Sequence, residues 1–498
     1  MQHSRGGKVM YHEHPLRILK YSLKNIWLLI FPILRAIQNV RIDKNWIYSW
    51  LRGAWIDIAV LGAILIFGFV RWHFSVIDFT EKELVHRYGV FVCANTFIPF
   101  SNISSATIEQ PFYLVPFRAS RFCCDTRAGI LKTNDLKLLV SKKTCAEIMK
   151  AMPQVDEKNK LKDIPKASPM SILMFSVFFS SGFSGAVYIA TFFWKAGDIS
   201  YDIITQYLNR FTEETEKLTN RLLLKIPTAA AAIGIFIIAS WLISFIVNLF
   251  RYIGFEVSGD EKCMRVTYGL FERREYNIKR SHINYTDVRQ NLIMKLFRAV
   301  SVNISCPGYV ATKNRLPVIL PVRKEKNIGR ELEDIGVYSG IKNDFAPQPS
   351  GVGSYILMPL LAAAELYPAH ELIVQIYPKI SNLSMFIAIM LEIPVIWMIA
   401  VKFVALLSSG IAFRGDKIIV RSCMWTSFHT VSAAKDKVAK IEIQQNFLQK
   451  LSGKCNISIW FEGDEHKRYR IRAMSTGDTE KIAEHLNYDI GAEVQDNS

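Results

Sequence analysis

Residues able to do chemistry are few in this chain of 498 residues, and they are scattered. Glu365, Glu371, Glu392 and Lys402 fall in or near apolar runs, where ionisable groups are expensive and often mark a transport path or proton relay. Placement at a membrane interface or mutual pairing is the favoured account of them, since Lys402 stands near the end of its run and Glu365 and Glu371 fit an interface. Arg273, Arg274, Lys279 and Arg280 flank a turn at Gly269 and could contact anionic lipid or an acidic partner, although a solvated face beside a membrane has the same composition. Gln110, Gln290 and Gln445 could bind a ligand through their amides, or satisfy buried backbone groups where the chain reverses; the second role fits the rule that buried polar groups are paired. His3, His12 and His14 lie close in sequence without a supporting carboxylate or cysteine cluster. No phosphate loop, HExxH, GxSxG or helix-opening GxGxxG occurs, so no catalytic residue, metal or cofactor is assigned.

These residues are positioned by a pattern that occurs three times. Counted from Gly269, an aliphatic residue falls at Ile283, a glutamine at Gln290, and an apolar or basic run at Leu292, Met294, Leu296, Phe297 and Arg298. The same spacing from Gly89 finds Ile103, Gln110, Phe112, Leu114, Phe117 and Arg118; from Met424 it finds Val438, Gln445, Phe447, Leu448, Leu451 and Gly453. A shared register without gaps marks an internal repeat. Met424 stands where the other copies have glycine, which removes the expectation of a tight left-handed turn there.

Half the residues are hydrophobic and the net charge is +17. The apolar residues are clustered in blocks, which favours a bilayer over a single large core. Six spans in three pairs are expected, near Ile26–Ile37, Ala54–Val70, Ser171–Trp194, Pro227–Phe250, a fifth run interrupted by Glu365, Pro368, His370 and Glu371, and Ser384–Leu407. Lys and Arg residues before the first run, and Arg71, Arg251 and Arg414 after later ones, place the N-terminus and the modules in the cytoplasm. All eight cysteines lie in the repeats and none has CxxC spacing, consistent with reduced thiols. On this reading residues 1–25 are a cytoplasmic segment, 26–70 a transmembrane pair, 71–168 a module with its linker, 169–250 a second pair, 251–340 a second module, 341–410 a linker and third pair, and 411–498 the third module.

Within each module the hydrophobic period changes. Ile441 and Ile443, then Cys455, Ile457, Ile459 and Phe461, alternate with other residues as half-buried strands do, and Val300, Val302, Ile304 and Cys306 repeat the pattern. Asn291–Arg298 is short enough for one helical turn. Helical spacing follows at Cys145, Met149 and Met152, at Ile328, Leu332 and Ile335, and at Ile482 and Leu486 after Ser475-x-x-Asp478, a capping-box-like start. Strands closing on a terminal helix form a small β-barrel or sandwich.

The Gly269…Ile283…Gln290…Leu296-Phe297-Arg298 pattern, its two copies and the opening His14-Pro15-Leu16 resemble bacterial membrane proteins with PH-like domains, of the YdbT type with three such domains. The resemblance implies a PH superfold for each module, no enzyme activity and no cofactor. It also implies a membrane scaffold whose cytoplasmic modules bind each other, the anionic inner leaflet or a small single-copy PH-like membrane protein, with a role in envelope stress or tolerance of membrane-active peptides. Nucleic acid is not an expected partner. The competing class is a transporter or membrane-embedded enzyme using Glu365 and Glu392.

Overall fold

The computed structural model describes residues 2–5, 8–23, 46–80, 82–128, 134–152, 167–180, 228–309, 317–325, 337–338, 340–463 and 467–488. Among them four sheets take their strands in runs along the chain. The first holds β1 (Gln2–Arg5), β2 (Lys8–His12), β3 (Val76–Phe79), β4 (Glu83–Tyr88) and β5 (Ala94–Pro99), neighbours in that order. The second holds β6 (Ile103–Pro111), β7 (Ala119–Thr126), β8 (Leu136–Ser141), β9 (Glu256–Gly259), β10 (Cys263–Tyr268) and β11 (Glu272–Lys279), in the spatial order β8-β7-β6-β11-β10-β9. The third holds β12 (Tyr285–Asn291), β13 (Ala299–Ser305), β14 (Val318–Lys324), β15 (Gly410–Arg414), β16 (Lys417–Met424) and β17 (Ser427–Ala434), in the order β14-β13-β12-β17-β16-β15. The fourth is β18 (Val438–Gln444), β19 (Lys454–Phe461) and β20 (Tyr469–Ser475).

Each repeat thus supplies two three-stranded meanders, and the second meander of one repeat is joined edge to edge with the first meander of the next. This occurs twice, at β6·β11 and at β12·β17, both antiparallel. The chain accordingly divides into two units that do not follow the repeats. One is Met1–Lys162 with Ser258–His282 and Pro307–Arg315; the other is Asp163–Val257 with Ile283–Cys306 and Leu316–Ser498.

In the first unit Ile77, Leu84 and Ile98 of the first sheet share a core with Ala106, Phe122 and Leu138 of the second, and Cys145, Ile148 and Met149 of the Lys142–Ala151 helix complete it. Ser141 caps that helix, its Oγ accepting from the Thr144 amide at 3.1 Å. In the second unit Ile418, Val420 and Val431 share a core with Ile457, Ile459, Phe461 and Ile471, completed by Ile482 of the Thr476–His485 helix. Burying each such aliphatic side chain contributes about 1.5–3 kcal/mol. Ser475 precedes this helix as expected but makes no side-chain capping bond. The expected one-turn helix is Leu292–Leu296, with Asn291 Oδ1 accepting from Met294 N at 2.7 Å. The expected helix around Ile328, Leu332 and Ile335 lies outside the described residues.

Strand β13 departs from the half-buried pattern, since all seven of its residues are buried. It is flanked by β12 and β14, and its polar residues find partners: Ser301 Oγ donates to the Leu320 carbonyl and Asn303 Nδ2 to that of Asp287. The missing glycine of the third repeat also has a resolution. Gly89 and Gly269 have φ of 119° and 107°, whereas the third copy moves the positive φ one residue on, to Trp425 at 56°.

The arrangement of six transmembrane helices in three pairs is overturned. Among the described residues two helices are long and apolar enough to cross a membrane, Pro349–Ile376 and Ser384–Ser408. The other apolar helical stretches among the described residues, Ile58–His73, Pro169–Phe179 and Phe236–Tyr252, are shorter; the first and third are the C-terminal parts of the helices Trp46–His73 and Thr228–Tyr252. The first expected span, Ile26–Ile37, lies outside the described residues. The two long helices pack on one another, and buried His370 meets Ser384 across them at 2.9 Å. What the sequence divides into membrane pairs and modules is therefore a mixed α/β chain dominated by PH-like sheets, with one long apolar hairpin.

Candidate functional site

The joints between repeats gather the charged residues that the strands bury. At β6·β11 the register sets Gln110 opposite Arg273 and Glu109 opposite Arg274. Alternation along the strand leaves Arg273 exposed and buries Arg274, whose guanidinium meets Glu109 and Glu272 at 2.8 Å each and donates to Tyr276 Oη at 3.0 Å. Burial works against this cation, but Tyr276, Glu109 and Glu272 outweigh it and hold its pKa above the ordinary arginine value. Lys279 Nζ donates to the carbonyls of Phe100 and Ser101 at 3.0 and 2.8 Å, and Arg280 to that of Asp260 at 2.9 Å. Three of the four hairpin cations are thus engaged by the protein.

At β12·β17 the register sets Gln290 opposite Phe428 and Arg289 opposite His429. Asp287, 1% exposed, accepts from His429 Nδ1 at 3.0 Å and from Arg289 Nε at 2.6 Å. Burial alone would raise its pKa; His429 first and Arg289 next reverse that and hold it well below the usual carboxylate range. The repeat glutamines lie just beyond this chemistry. Gln290 Nε2 donates to the Ala299 carbonyl at 2.9 Å and Gln445 Nε2 to that of Lys454 at 2.8 Å, so each ties together the two ends of a one-turn helix. Gln110 is half-buried at the same repeat position.

Immediately after each glutamine the chain exposes large apolar side chains. They are Phe112 and Phe117 in the first repeat, Leu296 and Phe297 in the second, and Phe447, Leu448 and Leu451 in the third. Residues at one further shared position, Arg118, Arg298 and Gly453, take positive φ and turn the chain out of these segments. The hairpin tips expose Phe91 and Val92, Leu270 and Phe271, and Trp425. At the first joint tip and segment touch, the Phe112 amide donating to the Phe271 carbonyl at 2.8 Å. At the second, Lys295 Nζ lies 4.3 Å from the centre of the Phe428 ring. Exposed apolar clusters of this kind mark contact with a protein or a membrane.

Beside the second joint is a cavity of about 300 Å³ lined by Gln290, Lys295, Glu325, Arg421 and His429 among others. Burial, followed by the nearby Arg421 charge, pushes the Lys295 pKa down to about 8.

The remaining candidates are dispersed. Glu365 and Glu371 are exposed and Glu392 is half-buried on the long apolar helices, while Lys402 Nζ donates to the Trp425 carbonyl at 2.9 Å. His3 lies in β1, His12 ends β2, and His14 bonds the Phe117 carbonyl at 3.1 Å. Among the described residues no three His, Cys, Asp or Glu side chains are grouped to hold a metal, and all eight cysteines are free thiols.

In the first and third repeats, two sheets closed by a C-terminal helix make PH-like modules, and within each unit a shared sheet edge joins strands of successive repeats. The chain belongs to the bacterial PH domain family, which matches residues 53–148, 220–334 and 358–490, more than half its length. Repeats of this family suggest a protein-interaction or lipid-contact role, and the two long apolar helices hint at membrane association. No curated protein matches the chain.

The sequence reading missed the joints. The available signal was charge inside strand patterns at Glu109, Asp287 and His429, which adjoin Ile108, Val288 and Phe428, because buried charges require partners; Arg274, between Arg273 and Glu275, carries no such signal.

Proposed function

We propose that this protein is a non-enzymatic membrane scaffold whose PH-like modules assemble edge to edge, presenting their exposed apolar segments to the inner leaflet and to protein partners. The observation that carries the reading is the recurrence of one joint at one register. It spends the second repeat's cationic hairpin on protein contacts, with Arg274 buried against Glu109. The long apolar hairpin anchors the chain and returns it to the side it left. Lys and Arg outnumber Asp and Glu nine to two in residues 1–52, which supports a cytoplasmic orientation. A small PH-like membrane protein fits the same edges as a partner, and envelope stress or exposure to membrane-active peptides is the setting the family resemblance suggests.

The transport or enzyme alternative places the work on Glu365 and Glu392. Both readings can be tested in bacteria whose tolerance of a membrane-active peptide depends on this chain. A Glu365→Gln/Glu392→Gln double variant should restore tolerance as the unaltered chain does. Loss of tolerance with normal abundance and membrane location would overturn the scaffold reading in favour of the alternative.

A further inference from the structure

The two joints pair β6 with β11 and β12 with β17, while β5 and β18 remain outer strands of their own sheets. Among the described residues no strand pairs with the outer side of β5 or of β18. Repeat for repeat, β5 is the counterpart of β11 and β17, and β18 is the counterpart of β6 and β12. Their burial reflects the difference. Asn95, Phe97 and Pro99 are exposed in β5, and Ala439, Lys440 and Ile443 in β18, whereas the middles of the jointed strands are buried.

We propose that the β18 edge of one copy receives the β5 edge of a second copy, repeating between chains the joint that the chain makes twice within itself. This rests on the scaffold reading and adds its partner and its register. Both internal joints pair the repeat glutamine with the residue four positions after the Gly269-equivalent: Gln110 with Arg273, and Gln290 with Phe428. Carried to the free edges, the rule sets Gln445 opposite Cys93 and Ile441 opposite Phe97. Phe97, 58% exposed, then gains an apolar partner. The counterpart of the Phe112 amide to Phe271 carbonyl bond is Phe447 to Phe91, two of the most exposed aromatic residues, at 76% and 94%.

No ion pair equivalent to Glu109–Arg274 or Asp287–His429 is available, because Gln444 and Glu442 would face Ala94 and Thr96. The joint between copies is therefore weaker than those within the chain and depends on concentration. Lys440 and Glu442, and the irregularity in β18 near Val438, are features by which edge strands resist indiscriminate pairing. A β18-to-β5 joint is heterologous, so it continues from copy to copy until a ring closes.

Cys93 is a naturally exposed thiol, which makes the register directly testable. Membranes carrying the full chain with Gln445→Cys are oxidised mildly and resolved without reductant. Bands at multiples of the chain mass are expected, absent from the unaltered chain and from Gln445→Cys/Cys93→Ser, and strongly reduced when Gln444→Cys replaces Gln445→Cys. Gln110→Cys/Arg273→Cys in a Cys93→Ser background, at the same position of the first internal joint, should close within one chain. No ladder while this internal pair closes, an equal ladder from Gln444→Cys, or a product whose mass is not a multiple of the chain would overturn the proposal and leave the scaffold reading standing. Failure of the internal pair would remove the joint itself, and both readings with it.

Discussion

Arg273 and Arg274 are adjacent in the chain and have opposite surroundings in β11, because successive strand residues point to opposite faces. The sequence places both in one cationic group with Lys279 and Arg280, and nothing local tells which face will be covered. The covering strand, β6, lies far away in the chain and belongs to another repeat. Arg274→Gln leaves the Glu109 carboxylate in the joint with Arg121, at 3.8 Å, as its remaining cation among the described residues. Breaking one side of a buried pair costs about 3–5 kcal/mol, whereas Arg273→Gln, on the exposed side, should change stability by no more than about 0.5 kcal/mol. Denaturant unfolding of the two detergent-solubilised variants measures the contrast, and equal midpoints would show that the ion pair does not hold the joint. The glutamines were more legible: their recurrence pointed to a backbone-satisfying role, and Gln290 and Gln445 each bond a carbonyl nine residues on.

Strands and terminal helices are legible at the scale of the element because their periods are local, as the Lys142–Ala151 and Thr476–His485 helices illustrate. Membrane spans were less so. Composition marked six apolar runs, but a run of apolar residues becomes a span only if it is helical over about 20 residues, and Pro169–Phe179 is not. Conversely the fifth run, interrupted by Pro368 and two glutamates, forms one of the two long helices, since proline in a long apolar helix is tolerated where its neighbours satisfy the backbone. The segments after the glutamines read as structural from their apolar pattern, yet their large side chains point outward. If they meet lipid, an environment-sensitive fluorophore placed by Phe117→Cys or Leu296→Cys in a Cys93→Ser background should emit to the blue in bilayer discs. Nitroxide-bearing lipid should quench it several-fold more than a label at Glu480→Cys. Equal quenching at all three sites would make these segments protein-contact surfaces only.

Across the whole molecule, three repeats are legible from one recurring spacing and their PH-like character from the family resemblance, but the wiring is not. A repeat boundary in sequence looks like a module boundary in space, and here each joint crosses one. The proposed orientation can be checked in both units: Glu147→Cys and Glu480→Cys, each exposed and each made in a Cys93→Ser background, should react with a membrane-impermeant maleimide only after the cells are opened. Reaction of either in intact cells would reverse the orientation for that unit. The shared sheets also impose a schedule on synthesis. After β6 ends at Pro111, about 160 residues must be made before β11 begins at Glu272, a wait of roughly 10–30 s at about 5–20 residues per second. Throughout it the nascent chain carries a sheet edge whose partner does not yet exist, with Glu109 already in place and no arginine from β11 to meet it. The ribosome thus releases each half of a joint separately, and the cell must keep the first half from other strands until the second arrives.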